Sequence, residues 1–173
     1  MLLKNFILSI LLLTATIAVH AVPDGNGPVI GQPVPKLYGR TLDDELYSLK
    51  KDTGSTKVVN FFWVECHPCR DEMPELARLE KQYKGVKFIS VHTTLNEHAV
   101  EPETVAKFIK SLKAAPSNIV LTTSSELGNE FNIAGLPHTM ILDKNNIVPM
   151  KISGYDKQNM KKLADELQKI TKQ

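Results

Sequence analysis

The stretch "KVVNFFWVECHPCRDEMPEL", residues 57–76, constrains this chain most, because its structural period changes at the one place where cysteine occurs. "KVVNFFWV" is apolar from Val58 to Val64 apart from Asn60 and rich in β-branched and aromatic residues, the pattern of a central strand buried on both faces. From Pro68 to about Tyr83 the spacing of Met73, Leu76, Leu79 and Tyr83 predicts one apolar helical face, stopped near Gly85 and kinked at Pro74. Cys66 and Cys69 therefore lie where a buried strand runs into a helix. In sheets with strands and helices in alternation, that carboxyl edge of the strands is where ligands gather.

The flanking segments extend the alternation. "VKFISVHT" reads as a second buried strand, "PETVAKFIKSLK" as an amphipathic helix opened by Pro102, "NIVLTT" as a short strand, and "SSELGNEFNI" as a short helix capped by Ser124. "HTMILD" and "VPMKIS" flank "KNN" as a hairpin, and "DKQNMKKLADELQKI" closes the chain as an amphipathic helix. Upstream, "KLYGRTLDDELYSL" predicts another hairpin, with turn chemistry at Gly39 and a second strand carrying Leu46 and Leu49. The order predicts an α/β fold with a mixed sheet and helices on both faces. Residues 22–35, "VPDGNGPVIGQPVP", hold too many prolines and glycines for regular structure and form a linker or an ordered lead-in.

The N-terminus sets the compartment. "MLLKNFILSILLLTATIAVHA" offers Lys4, an apolar run from Phe6 to Val19, and small residues Val19 and Ala21 at a cleavage point, the plan of a secretory signal peptide over residues 1–21. A retained anchor is the alternative, and the run is short and interrupted for a membrane span. Removing it leaves one domain's worth of chain, with a formal charge that falls from +2 only by the loss of Lys4. Both signs are interspersed, so no basic footprint for nucleic acid exists.

Two cysteines cannot staple a scaffold, and a disulfide between residues three apart closes almost no loop. A closed zinc site wants four ligands, more than one cysteine pair and five scattered histidines supply. A redox pair fits better. Cys66 at the helix N-terminus meets unsatisfied amides that favour a thiolate, while Cys69 lies one turn inside, so Cys66 is the attacking and Cys69 the resolving sulfur.

"FFWVECHPC", Pro74 eight residues after Cys66, and "GLPHTMILDKNNIV" resemble the signature of the thioredoxin fold. More narrowly, "IGQPVPKLYGRTLDDELYSL", Asn60 six residues before Cys66 and Glu72 three after Cys69 resemble exported thiol-disulfide oxidoreductases of the TlpA and ResA type. The resemblance implies a thioredoxin-like domain at residues 36–173, with an N-terminal hairpin extension and a helical insertion. It implies that Pro137 is a cis proline facing the cysteines, that Leu136 and Pro137 dock an extended substrate segment, and that Glu72 assists proton transfer at Cys69. Spacing agrees, since Cys69 and Glu72 are i and i+3 on one helix, although Asp71 and Glu72 could instead merely complement the helix dipole.

Two departures bear on reactivity. Glu65 stands where many relatives have tryptophan, and its charge opposes thiolate formation at Cys66. His67, between the cysteines beside Pro68, works the other way when protonated, and His138 replaces a frequent threonine after Pro137. His20, His92 and His98 read as exposed bystanders. The expected protein is a periplasmic reductant of exported protein thiols and disulfides, kept reduced by a membrane-embedded donor, without a cofactor and without nucleic acid. Cytochrome c maturation is one job of such reductases. The rivals are a disulfide oxidase or isomerase, and a module that binds cuprous copper through Cys66, Cys69 and His138.

Overall fold

The computed structural model of the chain describes residues 26–93, 100–122 and 130–172. The expected signal peptide, His20, His98 and most of the "SSELGNEFNI" segment lie outside them. Among the described residues no helix is long and apolar enough to cross a membrane.

Seven strands form one sheet: β1 (Tyr38–Thr41), β2 (Leu46–Ser48), β3 (Lys57–Phe62), β4 (Lys87–His92), β5 (Asn118–Leu121), β6 (His138–Leu142) and β7 (Met150–Ser153). Their spatial order is β2-β1-β5-β4-β3-β6-β7. β3, β4 and β5 are parallel, because helices α1 (His67–Gln82) and α2 (Pro102–Ser111) supply the crossovers that parallel strands require. β6 and β7 form the antiparallel hairpin, and α3 (Lys157–Thr171) starts on the Asp156 side chain, which accepts from Asn159 N–H at 2.7 Å. The sheet is mixed, as the sequence predicts, and β3 is buried at every position.

Strand alternation splits the core in two. Val58, Phe88 and Ile141 pack against Leu76 and Leu79 of α1 and Leu163 and Leu167 of α3, while Phe62 and Ile119 meet Cys69 and Met73 of α1 and Val105 and Phe108 of α2. Helices α1, α2 and α3 thus share one face, and most of the further helix expected over 124–133 lies outside the described residues. The opposite face, with Val59, Phe61, Ile89, Val91 and Met140, is covered by Leu37, Leu49, Phe131, Ile133 and Val148. Part of that cover is the Pro/Gly-rich lead-in. Gly31 N–H donates to Val148 O at 2.8 Å, Val148 N–H donates to Gln32 O at 3.1 Å, and Pro33 bridges Ile147.

One local expectation changes. Gly39 is not in the turn but inside β1, opposite Tyr47, and the turn falls between Thr41 and Leu46 with Asp44 at φ 63°. Gly39 is required by closeness: a Cβ there would lie 2.4 Å from Leu121 O and 2.7 Å from Val120 Cγ1 of β5. Pro74 lies within α1, which continues to Gln82, so the proline removes one donor without ending the helix.

Candidate active site

Cys66 is the N-cap of α1. Its backbone is extended (φ −81°, ψ 106°), and its sulfur accepts from Cys69 N–H at 3.2 Å, so the first turn closes onto the sulfur itself. The strand-to-helix junction thus puts Cys66 Sγ, half-buried, at the positive end of a helix of 16 residues, and Cys69 one turn inside, fully buried. The two are joined as a disulfide, with Cα atoms 5.3 Å apart. Around them Glu65, His67 and Pro68 are exposed. Leu136 packs into the same cluster as Cys66, Cys69 and Met73, so the segment before Pro137 adjoins the cysteine pair. The Leu136–Pro137 peptide bond is cis.

Beneath the pair lies a closed polar triangle. Glu72, 1 % exposed, is on α1 one turn beyond Cys69. Asn60 Nδ2 donates to Glu72 Oε2 at 2.7 Å and to Thr139 Oγ1 at 2.9 Å, and the Thr139 hydroxyl donates to Glu72 Oε1 at 2.9 Å. Register explains the meeting: Asn60 of β3 is paired with Thr139 of β6, and their side chains rise from the same face toward α1. Burial raises the Glu72 carboxyl to about 7, against the two hydrogen bonds from Thr139 and Asn60, which stabilise the carboxylate. A proton can therefore be taken up or released near neutral pH in contact with the helix that carries Cys69.

Thr139 was not singled out by the sequence. The signal available was period: in "HTMILD" alternate residues share a face, and the antiparallel register sets Thr139 against Asn60. The same alternation sets where His138 points. Its ring lies on the face opposite Thr139, fully buried, with Nδ1 3.1 Å from Ser153 Oγ and Gly27 packed over it. It faces the lead-in rather than joining the triangle. Among the described residues no group of three or more His, Cys, Asp or Glu is placed to hold a metal ion, so Cys66, Cys69 and His138 do not form the copper set of the rival reading. His92, expected to be exposed, is buried edge-on against Phe62 with ring centroids 5.4 Å apart. Burial lowers it to about 4, so it is neutral.

A family model described as Redoxin matches residues 22–167. The chain belongs to the Redoxin family. Within it, the chain is 28% identical over 144 residues to a thiol-disulfide oxidoreductase ResA of Bacillus cereus, covering 82% of this chain and 79% of that one. It is 28% identical over 124 residues to the thioredoxin-like protein YneN of Bacillus subtilis, covering 68% of each. Among solved structures it is similar to a putative thiol:disulfide interchange protein DsbE from Chlorobium tepidum, with a TM-score of 0.71, 18% identity, and coverage of 80% of this chain and 95% of that one. A putative protein disulfide isomerase from Bacteroides thetaiotaomicron gives a TM-score of 0.70 at 18% identity, covering 84% and 91%. This Redoxin-family chain has the thioredoxin fold and is a ResA-like thiol-disulfide oxidoreductase whose redox pair is Cys66 and Cys69.

Proposed function

We propose that the chain reduces disulfides in exported proteins. The observation that carries this is the buried Glu72 held by Asn60 and Thr139 one helical turn from the resolving Cys69, because reduction of a substrate needs a proton moved at a cysteine closed off from water.

The steps balance as follows. The Cys66 thiolate attacks one sulfur of a substrate disulfide, forms a mixed disulfide and expels the other substrate sulfur as a thiolate. Glu72 as carboxylate takes the proton of the Cys69 thiol. Cys69 then attacks Cys66 Sγ, closing the Cys66–Cys69 disulfide and releasing the second substrate sulfur. Two electrons pass to the substrate, and its two thiols take up two protons, one of which Glu72 can return. The segment at Leu136 and Pro137, a bend leading into β6, packs in the same cluster as Cys66, where a substrate strand can add by main-chain hydrogen bonds. Glu65 and His67, both exposed, set the charge the incoming substrate meets. The chain is placed in the periplasm after loss of residues 1–21, and a membrane-embedded dithiol donor regenerates the reduced pair. Support comes from the apolar N-terminal run and from the similarity to proteins named ResA and DsbE.

The test mixes the pre-reduced protein with an oxidised protein disulfide and follows both partners by thiol labelling and mass. One substrate disulfide lost per Cys66–Cys69 disulfide gained is the expected result. A pair that stays reduced with the substrate unchanged would refute the reading.

A further inference from the structure

The lead-in runs against the docking segment at Asn26 and Gly27. Asn26 Nδ2 donates to Ser153 Oγ of β7 at 2.6 Å, and Asn26 Oδ1 accepts from Ala134 N–H at 3.3 Å, two residues before Leu136. Gly27 N–H donates to Asn132 O at 2.6 Å, and Gly27 O accepts from Lys151 Nζ at 3.4 Å. Gly27 has φ +83°, and a Cβ on it would lie 2.3 Å from His138 Nε2, so only glycine lets the chain lie flat on that ring. His138 follows Pro137 directly. Its Nδ1 meets Ser153 Oγ, and Pro137 O accepts from Gly154 N–H at 2.8 Å. Two consecutive lead-in residues thus bond the loop before Pro137, cover the residue after it, and tie both to β7.

We infer that Asn26 and Gly27 form a strap that positions the Leu136–Pro137 segment for docking of an extended substrate chain, making them positioning residues for the exchange reaction. The inference rests on the docking role proposed above for that segment. A loop held at both ends has less conformational freedom to lose when a substrate strand adds to it, so the strap favours large substrates. A small disulfide that meets only Cys66 gains nothing from it. None of these contacts is with a sulfur or with Glu72, so the strap acts through the docking segment and not on the chemistry of the pair.

Asn26→Ala removes the side-chain bonds to Ser153 and Ala134. Asn26→Asp keeps an acceptor for Ala134 N–H, and the Ser153 hydroxyl can turn to donate to it. Each protein, reduced, is assayed on a disulfide-bonded peptide of about ten residues and on oxidised glutathione, with melting temperature recorded. The expected result is a roughly three- to tenfold higher KM for the peptide in Asn26→Ala, with kcat for the peptide and both constants for oxidised glutathione unchanged. Asn26→Asp restores most of the difference. Equal losses on both substrates, or no loss on the peptide, would overturn the strap. If Asn26→Ala melts too low to assay, Ser153→Ala, which removes one partner of the strap, is read in the same way. An unaltered protein inactive on both substrates would instead count against the reductase reading, which separates the two failures.

Discussion

Thr139 donates its hydroxyl hydrogen to Glu72 Oε1 at 2.9 Å from the second residue of β6, across the core from α1. This bond stabilises the carboxylate, whereas burial stabilises the acid, and burial is the larger effect. Thr139→Val keeps the shape and removes the donor, so the group should titrate higher still. The pH profile of disulfide exchange should move upward by roughly half to one unit. Tyr155, raised by burial and then by Glu75, Asp71 and Glu72, borders the same acids and keeps its proton throughout this range. A profile of Thr139→Val that superimposes on the parent would remove Thr139 from the proton path.

Glu72→Gln tests the carboxyl itself. The amide can accept from Asn60 on one side and donate to a turned Thr139 hydroxyl on the other, so the fold should persist. Exchange should slow by roughly tenfold to a hundredfold near neutral pH and lose the part of its profile centred near 7. Stability should move the other way. The carboxyl is raised in the folded state from 4.5 to about 7, so its ionisation opposes folding. Stability is full below about 4.5 and declines as pH rises through about 7. Above that range Glu72→Gln should be the more stable protein, by at most about 3 kcal/mol at 1.36 kcal/mol per unit. Denaturant titrations at pH 5 and pH 8 check it: a variant equally destabilised at both would contradict buried ionisation.

The cysteine roles are read from burial. Cys66 is half-buried and Cys69 is closed off, so only Cys66 can meet a substrate sulfur. Cys69→Ala should accumulate mixed disulfides with partners, visible as adducts on non-reducing gels, and Cys66→Ala should accumulate few. Equal trapping by both variants would reverse or abolish the assignment.

The element order, the cysteine junction and the Cys69–Glu72 spacing were legible because each depends on local period: 2 for strands, 3.6 for helices. What was not legible depends on which faces meet. Thr139 meets Glu72, and His138 turns to the opposite face, through a one-residue alternation whose direction only the β3–β6 register fixes. His92 is buried because β4 lies between β3 and β5, a fact of strand order. Gly39 shows the same limit. A glycine in a polar stretch reads as a turn, yet this one lets β1 lie close to Val120 and Leu121. Gly39→Ala should therefore cost about 1–3 kcal/mol and lower the melting temperature by several degrees. A melting temperature within a degree of the parent would show that β1 can shift without penalty.

The direction of electron flow follows from what surrounds Cys66 Sγ. A strong oxidant needs its reduced form stabilised by a well-supported thiolate. Here the sulfur receives one backbone donor, from Cys69 at 3.2 Å, and Pro68 has no N–H to add a second. Glu65, exposed and next to Cys66 in sequence, adds a negative charge to this junction, and His67 is open to water, which screens what charge it carries. The reduced form is thus weakly favoured. The potential should lie nearer the roughly −270 mV of thioredoxin than the roughly −120 mV of a strong oxidant. Equilibration in glutathione and dithiothreitol buffers of set ratio, with the oxidised fraction read by thiol alkylation and mass, measures it. A potential above about −150 mV would assign the chain to disulfide formation instead, since electrons would then flow from substrate thiols into the Cys66–Cys69 pair.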